Sequence, residues 1–324
     1  MTIGPCGGAP AVRSVGRMTI TVTGLTKRYG ATTAVHDISL RIAPGRVTGF
    51  LGPNGSGKST TIRMILGLDR PTAGSALVNG KPYAELRDPL RTVGALLDAR
   101  AVHPGRSARN HLRAMARSNG IPERRVGEVL ETVGLSHVAR KRAGGFSLGM
   151  SQRLGIAEAL LGDPEVLIFD EPVNGLDPDG VRWVRQLMRA LAAEGRTVFV
   201  SSHLMSEMQQ TADHLVVIGK GRIIRDAPIA EVIAGSSTTA IRVRTPEAEA
   251  LRYRLAAAAI AVRHTGPDEL TVTGAGLERI GDLAYEAGVR LHELSRRDAS
   301  LEEAYLELTA ASVEYATPVP GEGR

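Results

Sequence analysis

The chain has 324 residues, 43% of them hydrophobic, which is enough for one large domain and a smaller one, each with a core. Its formal charge of +6 comes from 35 Arg and 5 Lys against 34 acidic residues, scattered along the chain, while aromatics make up only 3%. Such a surface tolerates an anionic partner, but basic residues without interleaved aromatics do not build a single-strand nucleic-acid face, so nucleic acid is set aside as the main partner.

Residues 1–17 read as a disordered leader that carries the sole cysteine, Cys6, so neither a disulfide framework nor a thiolate metal site is expected, and a reducing compartment fits. The leader lacks the apolar core of a secretory signal. The periodic pattern starts at Thr19-Ile20-Thr21-Val22, and Met18 is read as the physiological start. No stretch approaches the roughly 20 apolar residues that cross a bilayer, so the chain is not expected to span one by itself.

From Thr19 to about Lys81 the alternation of Ile20 and Val22, of Asp37 to Ile42 and of Ala76 to Val78 predicts a small antiparallel β layer. Within it, Val47 to Leu51 reads as a short strand, then a glycine-rich loop, then a helix from Thr60 to Leu68 with Ile62, Ile65 and Leu66 at helical spacing. Between about residues 96 and 150 the texture becomes helical, with apolar residues three and four apart around His111 to Ala116 and Val126 to Glu131. Strands and helices then alternate: Val166 to Phe169, a helix through Val184 to Leu191, Thr197 to Val200, a helix over Ser206 to Thr211, and Leu215 to Ile218. Uninterrupted apolar runs of this kind suit parallel strands buried on both faces. After a boundary at 235/236, residues 236–312 predict a separate small α/β domain, with strands near Ile241 to Val243 and Leu270 to Val272 and helices near Glu247 to Ala257 and Leu277 to Ala287. A Pro- and Gly-rich tail over 313–324 closes the chain and reads as disordered.

The glycine-rich loop, Gly52-Pro53-Asn54-Gly55-Ser56-Gly57-Lys58-Ser59, matches the phosphate-loop pattern at every fixed position, between a strand and a helix. Its glycines let successive N–H groups turn inward around phosphate oxygens at the positive end of a helix dipole. Lys58 is expected to reach the β- and γ-phosphates, Ser59 to hold Mg²⁺ and Thr60 to touch the α-phosphate. The strand Val166 to Phe169 ends in Asp170-Glu171, where doubly wound sheets bind ligands. Asp170 is expected to bind Mg²⁺, directly or through water, and Glu171 to polarise the attacking water.

Phe146-Ser147-Leu148-Gly149-Met150, leading into a helix, resembles the Leu-Ser-Gly-Gly-Gln signature of the ATP-binding cassette (ABC) superfamily. Ser147 and Gly149 are kept, while Phe146, Leu148 and Met150 depart from it. An ordinary helix N-cap accounts for the serine as well. The resemblance extends to Glu171-Pro172-Val173-Asn174-Gly175-Leu176-Asp177, whose final Asp crosses to the partner's site in that family, to His203 as the switch histidine on the γ-phosphate, and to Tyr29 as the aromatic that stacks on adenine. Where the family commonly has a metal-bridging Gln, this chain has Asp98, and a carboxylate there could still bind the metal. Asp98, Leu148, Met150 and the segment Ser300 to Thr309 are similar to the drug-export branch typified by daunorubicin- and bacitracin-resistance ATPases.

The resemblance implies a P-loop ABC ATPase fold, a parallel core sheet with an antiparallel β layer and a helical subdomain. It further implies ATP and Mg²⁺ as cofactors, and a dimer in which Ser147 and Gly149 of one copy meet the nucleotide of the other. A separately encoded integral-membrane permease would then be driven from the cytoplasmic face of the membrane, for drug, antibiotic or lipid-like efflux. Two other readings stay open from the sequence: a soluble ABC ATPase of the translation or DNA-repair type, and a regulatory module that holds ATP without turnover.

Overall fold

The computed structural model describes residues 18–99, 101–234, 240–297 and 301–309. The expected leader with Cys6, the tail from 313, the 235/236 boundary and Ser300 lie outside the described residues. The chain divides into two compact units, the first ending at Asp226 and the second starting at Ala227.

The first unit opens with β1 (Ile20–Tyr29), β2 (Thr32–Ile42), β3 (Arg46–Leu51), α1 (Lys58–Ile65) and β4 (Ala73–Val78). It continues through α2 (Pro89–Thr92), β5 (Val93–Leu96), α3 (Ala108–Ser118), α4 (Arg124–Thr132) and α5 (Leu148–Leu160). β6 (Val166–Asp170), α6 (Pro178–Ala193), β7 (Thr197–Ser202), α7 (Met205–Thr211), β8 (His214–Gly219) and β9 (Arg222–Pro228) follow, β9 running across the division.

Two sheets result. β1 pairs antiparallel with β2 and with β4, the β layer read from the alternation of Ile20 and Val22. The second sheet has the order β5-β6-β7-β3-β8-β9, and β5, β6, β7, β3 and β8 pair in parallel. Its central strands are apolar on both faces because both faces are covered: Val166, Leu167 and Ile168 of β6 and Val198, Phe199 and Val200 of β7 are all buried. α1 packs against β1, β2, β4 and β6, so one helix joins the two sheets. The shared core contains Ile20, Ile42, Ile62, Ile65, Ile168, Phe199 and Phe50, the last two with ring centroids 5.3 Å apart.

Between β5 and β6 the helices α3, α4 and α5 pack on one another, and α5 also packs on β5. That is the helical insertion expected from the spacing. The helix predicted over Val184 to Leu191 begins earlier, at Pro178, because Asp177 caps it and proline fits the first helical turn. The helix predicted from Thr60 begins at Lys58, directly after Gly57.

The second unit holds α8 (Ile229–Ala234), β10 (Ala240–Arg244), α9 (Ala248–Ala257), β11 (Ala261–Gly266), β12 (Glu269–Thr273), α10 (Leu277–Glu286), β13 (Glu293–Arg297) and α11 (Leu301–Thr309). The four strands form a fully antiparallel sheet of order β11-β12-β10-β13. With α9 and α10 in the crossovers this is a βαββαβ arrangement of the ferredoxin-like kind. Its own core gathers Ile241, Val243, Leu251, Leu270, Val272, Ile280 and Leu283. α8 packs on α11, so the unit begins at Ala227 and takes in residues that the sequence assigned to the larger domain.

Candidate active site

β3 delivers the chain to the carboxyl end of the parallel sheet, and the loop of residues 52–57 turns there into α1. The turn needs glycine at two positions for different reasons. Gly57 has φ +106°, and a Cβ on it would lie 2.7 Å from the Ala34 carbonyl oxygen. Gly52 has ordinary backbone angles, but a Cβ there would meet the Ile218 carbonyl oxygen at 2.4 Å and Ser56 Oγ at 2.6 Å. At these two positions the loop is pressed against β8 and β2 with no room for a side chain. Asn54, Gly55, Gly57, Lys58, Ser59, Thr60, Ala34 and Glu171 line a cavity of about 200 Å³ at the N-terminus of α1.

Lys58 is nearly enclosed, 6% exposed, with its ammonium donating to the carbonyls of Gly52 at 2.6 Å and Pro53 at 3.2 Å. Burial pushes its pKa down, against the upward pull of the Glu171 and Asp170 carboxylates. Ser56 Oγ is buried and, among the described residues, has no hydrogen-bond partner. A buried cation hydrogen-bonded to two carbonyls, with the Glu171 carboxylate 3.7 Å away, and an orphaned hydroxyl on the same loop form a site that phosphate oxygens can complete.

Asp170 and Glu171 sit at the carboxyl end of β6, opposite Ser201 of β7 in the strand register. One Glu171 oxygen lies 3.7 Å from Lys58 Nζ, and the other lies 2.9 Å from His203 Nδ1. Three residues from distant segments thus meet at one carboxylate. Asp170 Oδ1 accepts from the Ser201 hydroxyl. The backbone at Glu171 takes φ +50°, which is uncommon for a residue with a side chain, and aims that side chain back at the loop. Gln152, buried on α5, donates from Nε2 to the Glu171 carbonyl at 3.3 Å.

Tyr29 ends β1 and is 50% exposed, so it is not a core tyrosine. Its hydroxyl donates to Asp69 Oδ2 at 3.1 Å, and Arg63 of α1 holds both Asp69 oxygens, at 2.8 and 3.1 Å. Lys27 Nζ lies 4.9 Å from the ring centroid, a cation–π distance. Partial desolvation and the bond to Asp69 raise the Tyr29 pKa, while Arg63 holds the Asp69 carboxyl below its usual range.

The remaining residues picked out by sequence stand apart from this cluster. Ser147 caps α5, its hydroxyl accepting from Met150 N–H at 3.2 Å, and Asp177 caps α6, accepting from Gly180 N–H at 2.8 Å. These two tips touch through Leu148, one of the three residues that depart from the ABC signature: a Cβ on Gly175 would fall 1.9 Å from Leu148 Cδ2. Gly149 lies against Leu176. Among the described residues, no hydrogen bond or ion pair joins Ser147, Gly149 or Asp177 to the phosphate loop. Asp98 is exposed and lies two residues past Leu96, the last residue of β5, which pairs with Phe169 of β6.

A magnesium ion fits the donors at hand. Among the described residues, no group of three or more His, Cys, Asp or Glu is arranged as a metal cage. Mg²⁺ prefers one or two protein oxygens, substrate phosphates and its own waters, and Ser59, Asp170 and Asp98 offer only oxygens. The sequence missed Ser201, Gln152 and Asp69. They lie at 30, 19 and 40 positions from the groups they bind, and their residue types carry no signal of their own.

Residues 35–174 match the family described as ABC transporter, and residues 239–302 match one described as a domain of unknown function. Over 212 residues the chain is 44% identical to the bacitracin transport ATP-binding protein BcrA of Bacillus licheniformis, covering 64% of this chain and 69% of that protein. It is 36% identical over 203 residues to the lantibiotic transport ATP-binding protein SrtF of Streptococcus pyogenes, covering 63% of this chain and 88% of that one. A solved structure of the ATP-binding subunit of an ABC transporter superposes with a TM-score of 0.61 at 26% identity, over 67% of this chain and 92% of the other. The phosphate loop, the strand-end carboxylates and these likenesses agree, and the chain belongs to the ATP-binding proteins of ABC transporters and hydrolyses ATP.

Proposed function

We propose that this chain is the motor subunit of a peptide-antibiotic exporter, working as a homodimer under a separate membrane permease at the cytoplasmic face of the membrane. The observation that supports it most strongly is the Glu171 carboxylate, shared between Lys58 at 3.7 Å and His203 at 2.9 Å beside the cavity at the N-terminus of α1. The chain's similarity to bacitracin and lantibiotic transport proteins supports that cargo class.

In this reading the loop amides of Gly55 and Gly57, with Lys58, bind the β- and γ-phosphates, and Lys58 exchanges its Glu171 contact for phosphate oxygens. Freed from the lysine, Glu171 accepts the proton of the attacking water, and His203 steadies the carboxylate and reaches the γ-phosphate. Ser59, Asp170 and Asp98 hold Mg²⁺, which when bound neutralises phosphate charge. Tyr29 offers an exposed ring to the adenine. Ser147 and Gly149 at the tip of α5 and Asp177 at the tip of α6 serve the nucleotide of the second copy, so a monomer carries half of each site. Among the described residues no helix is long and apolar enough to cross a membrane, and the permease supplies the path.

Purification of the tagged chain from host membranes tests this reading. A multi-spanning membrane protein should copurify in fixed ratio, and a Lys58→Ala strain should become sensitive to bacitracin-like peptides. Recovery without any membrane protein, with unchanged sensitivity, contradicts it.

A further inference from the structure

Two serines precede His203, and only one acts locally. Ser202 Oγ accepts from Leu204 N–H at 3.0 Å, an ordinary turn contact. Ser201, fully buried near the end of β7, turns its hydroxyl to the neighbouring strand. There it donates its one proton to Asp170 Oδ1 and accepts from Glu171 N–H at 3.0 Å. A serine hydroxyl has a single donor, and it is spent on the carboxylate.

Glu171 gives this contact its weight. Its backbone takes φ +50°, and such a conformation persists only where its surroundings enforce it. Its N–H is held by Ser201 Oγ and, at 3.3 Å, by the Ser201 carbonyl; its own carbonyl is held by Gln152. Of these groups only the Ser201 hydroxyl also touches the Asp170 side chain.

We propose that Ser201 is a positioning residue for ATP hydrolysis, one hydroxyl fixing both the Asp170 carboxylate and the Glu171 main chain. The inference rests on the metal and base assignments given under the proposed function. Loss of the hydroxyl frees Asp170 to rotate, while Glu171 N–H keeps the Ser201 carbonyl, so the strand pairing survives.

The test compares wild type, Ser201→Ala and Asp170→Asn, with Mn²⁺ as the probe ion. Mn²⁺ affinity is read by electron paramagnetic resonance in the presence of a non-hydrolysable ATP analogue, alongside metal-free ATP affinity, kcat and KM. Removing an outer partner of a metal ligand typically weakens binding by about 10–100-fold. Ser201→Ala should therefore bind Mn²⁺ about tenfold more weakly or worse and lower kcat, with metal-free ATP affinity and KM little changed. Wild-type Mn²⁺ affinity in Ser201→Ala, with Asp170→Asn impaired, overturns the proposal and leaves the metal assignment standing. Equal losses of metal-free and metal-dependent binding in Ser201→Ala also overturn it, because they mark a general structural defect. Wild-type Mn²⁺ affinity in Asp170→Asn overturns the metal assignment, and the role of Ser201 with it.

Discussion

Asp69 and Tyr29 illustrate how much of a site depends on residues without a signature. The tyrosine ring is exposed, yet its hydroxyl is tied to a carboxylate that Arg63 grips with two hydrogen bonds. The hydrogen bond from Arg63 is the main cause of the lowered Asp69 pKa. A depressed carboxyl pKa contributes stability above the unfolded value, near 4, and loses it as pH falls through the folded value. Asp69→Asn should therefore unfold at lower denaturant than wild type at neutral pH, with the gap closing in acid; a gap that widens in acid contradicts this. At the loop, Gly57→Ala forces a Cβ to 2.7 Å from the Ala34 carbonyl at φ +106°. It should abolish ATP binding in equilibrium dialysis. The phosphate loop and the Asp170-Glu171 pair were legible because their chemistry lies in consecutive residues. Ser201, Gln152 and Asp69 were not, because each reaches its partner only through the fold.

Sheet edges account for what the sequence left out among the elements. β5 and β9 flank the parallel sheet, and β11 and β13 flank the antiparallel sheet of the small unit. None of the four was read as a strand. β11, Ala-Val-Arg-His-Thr-Gly, buries little, with only Val262 and Gly266 partly covered, so the alternation that marks a half-buried strand is missing, while β5 is buried at three of its four residues but is too short to show a pattern. β6, β7 and β8 were legible because their apolar runs are covered on both faces. β5 also depends on a close approach: a Cβ on Gly94 would lie 1.9 Å from the Ala159 carbonyl of α5. Gly94→Ala should cost about 1–3 kcal/mol or more in denaturant unfolding, since neither backbone can yield freely. A neutral substitution would show that α5 can move away from the strand.

Two cores in one chain give the molecule two sources of stability. The larger core runs from Ile20 through Phe199 to Ile218, and the smaller is centred on Val243, Leu270 and Val272. The α/β character of the second unit was legible from two of its strands and its two main helices, but not its antiparallel βαββαβ order, because edge strands set that order. Leu270 is fully buried in the smaller core, so Leu270→Ala should destabilise that unit by about 2–5 kcal/mol while ATP affinity stays at the wild-type value. Loss of ATP binding in that variant would mean that the two units do not act as separate cores. For the molecule as a motor, the central claim is that Glu171 is the base that turns bound ATP into ADP and phosphate. The direct measurement is steady-state ATP hydrolysis with magnesium by wild type and by Glu171→Gln, beside ATP affinity for both. Removal of a general base should lower turnover by about 100-fold or more with affinity retained. Turnover equal to wild type in Glu171→Gln contradicts the account.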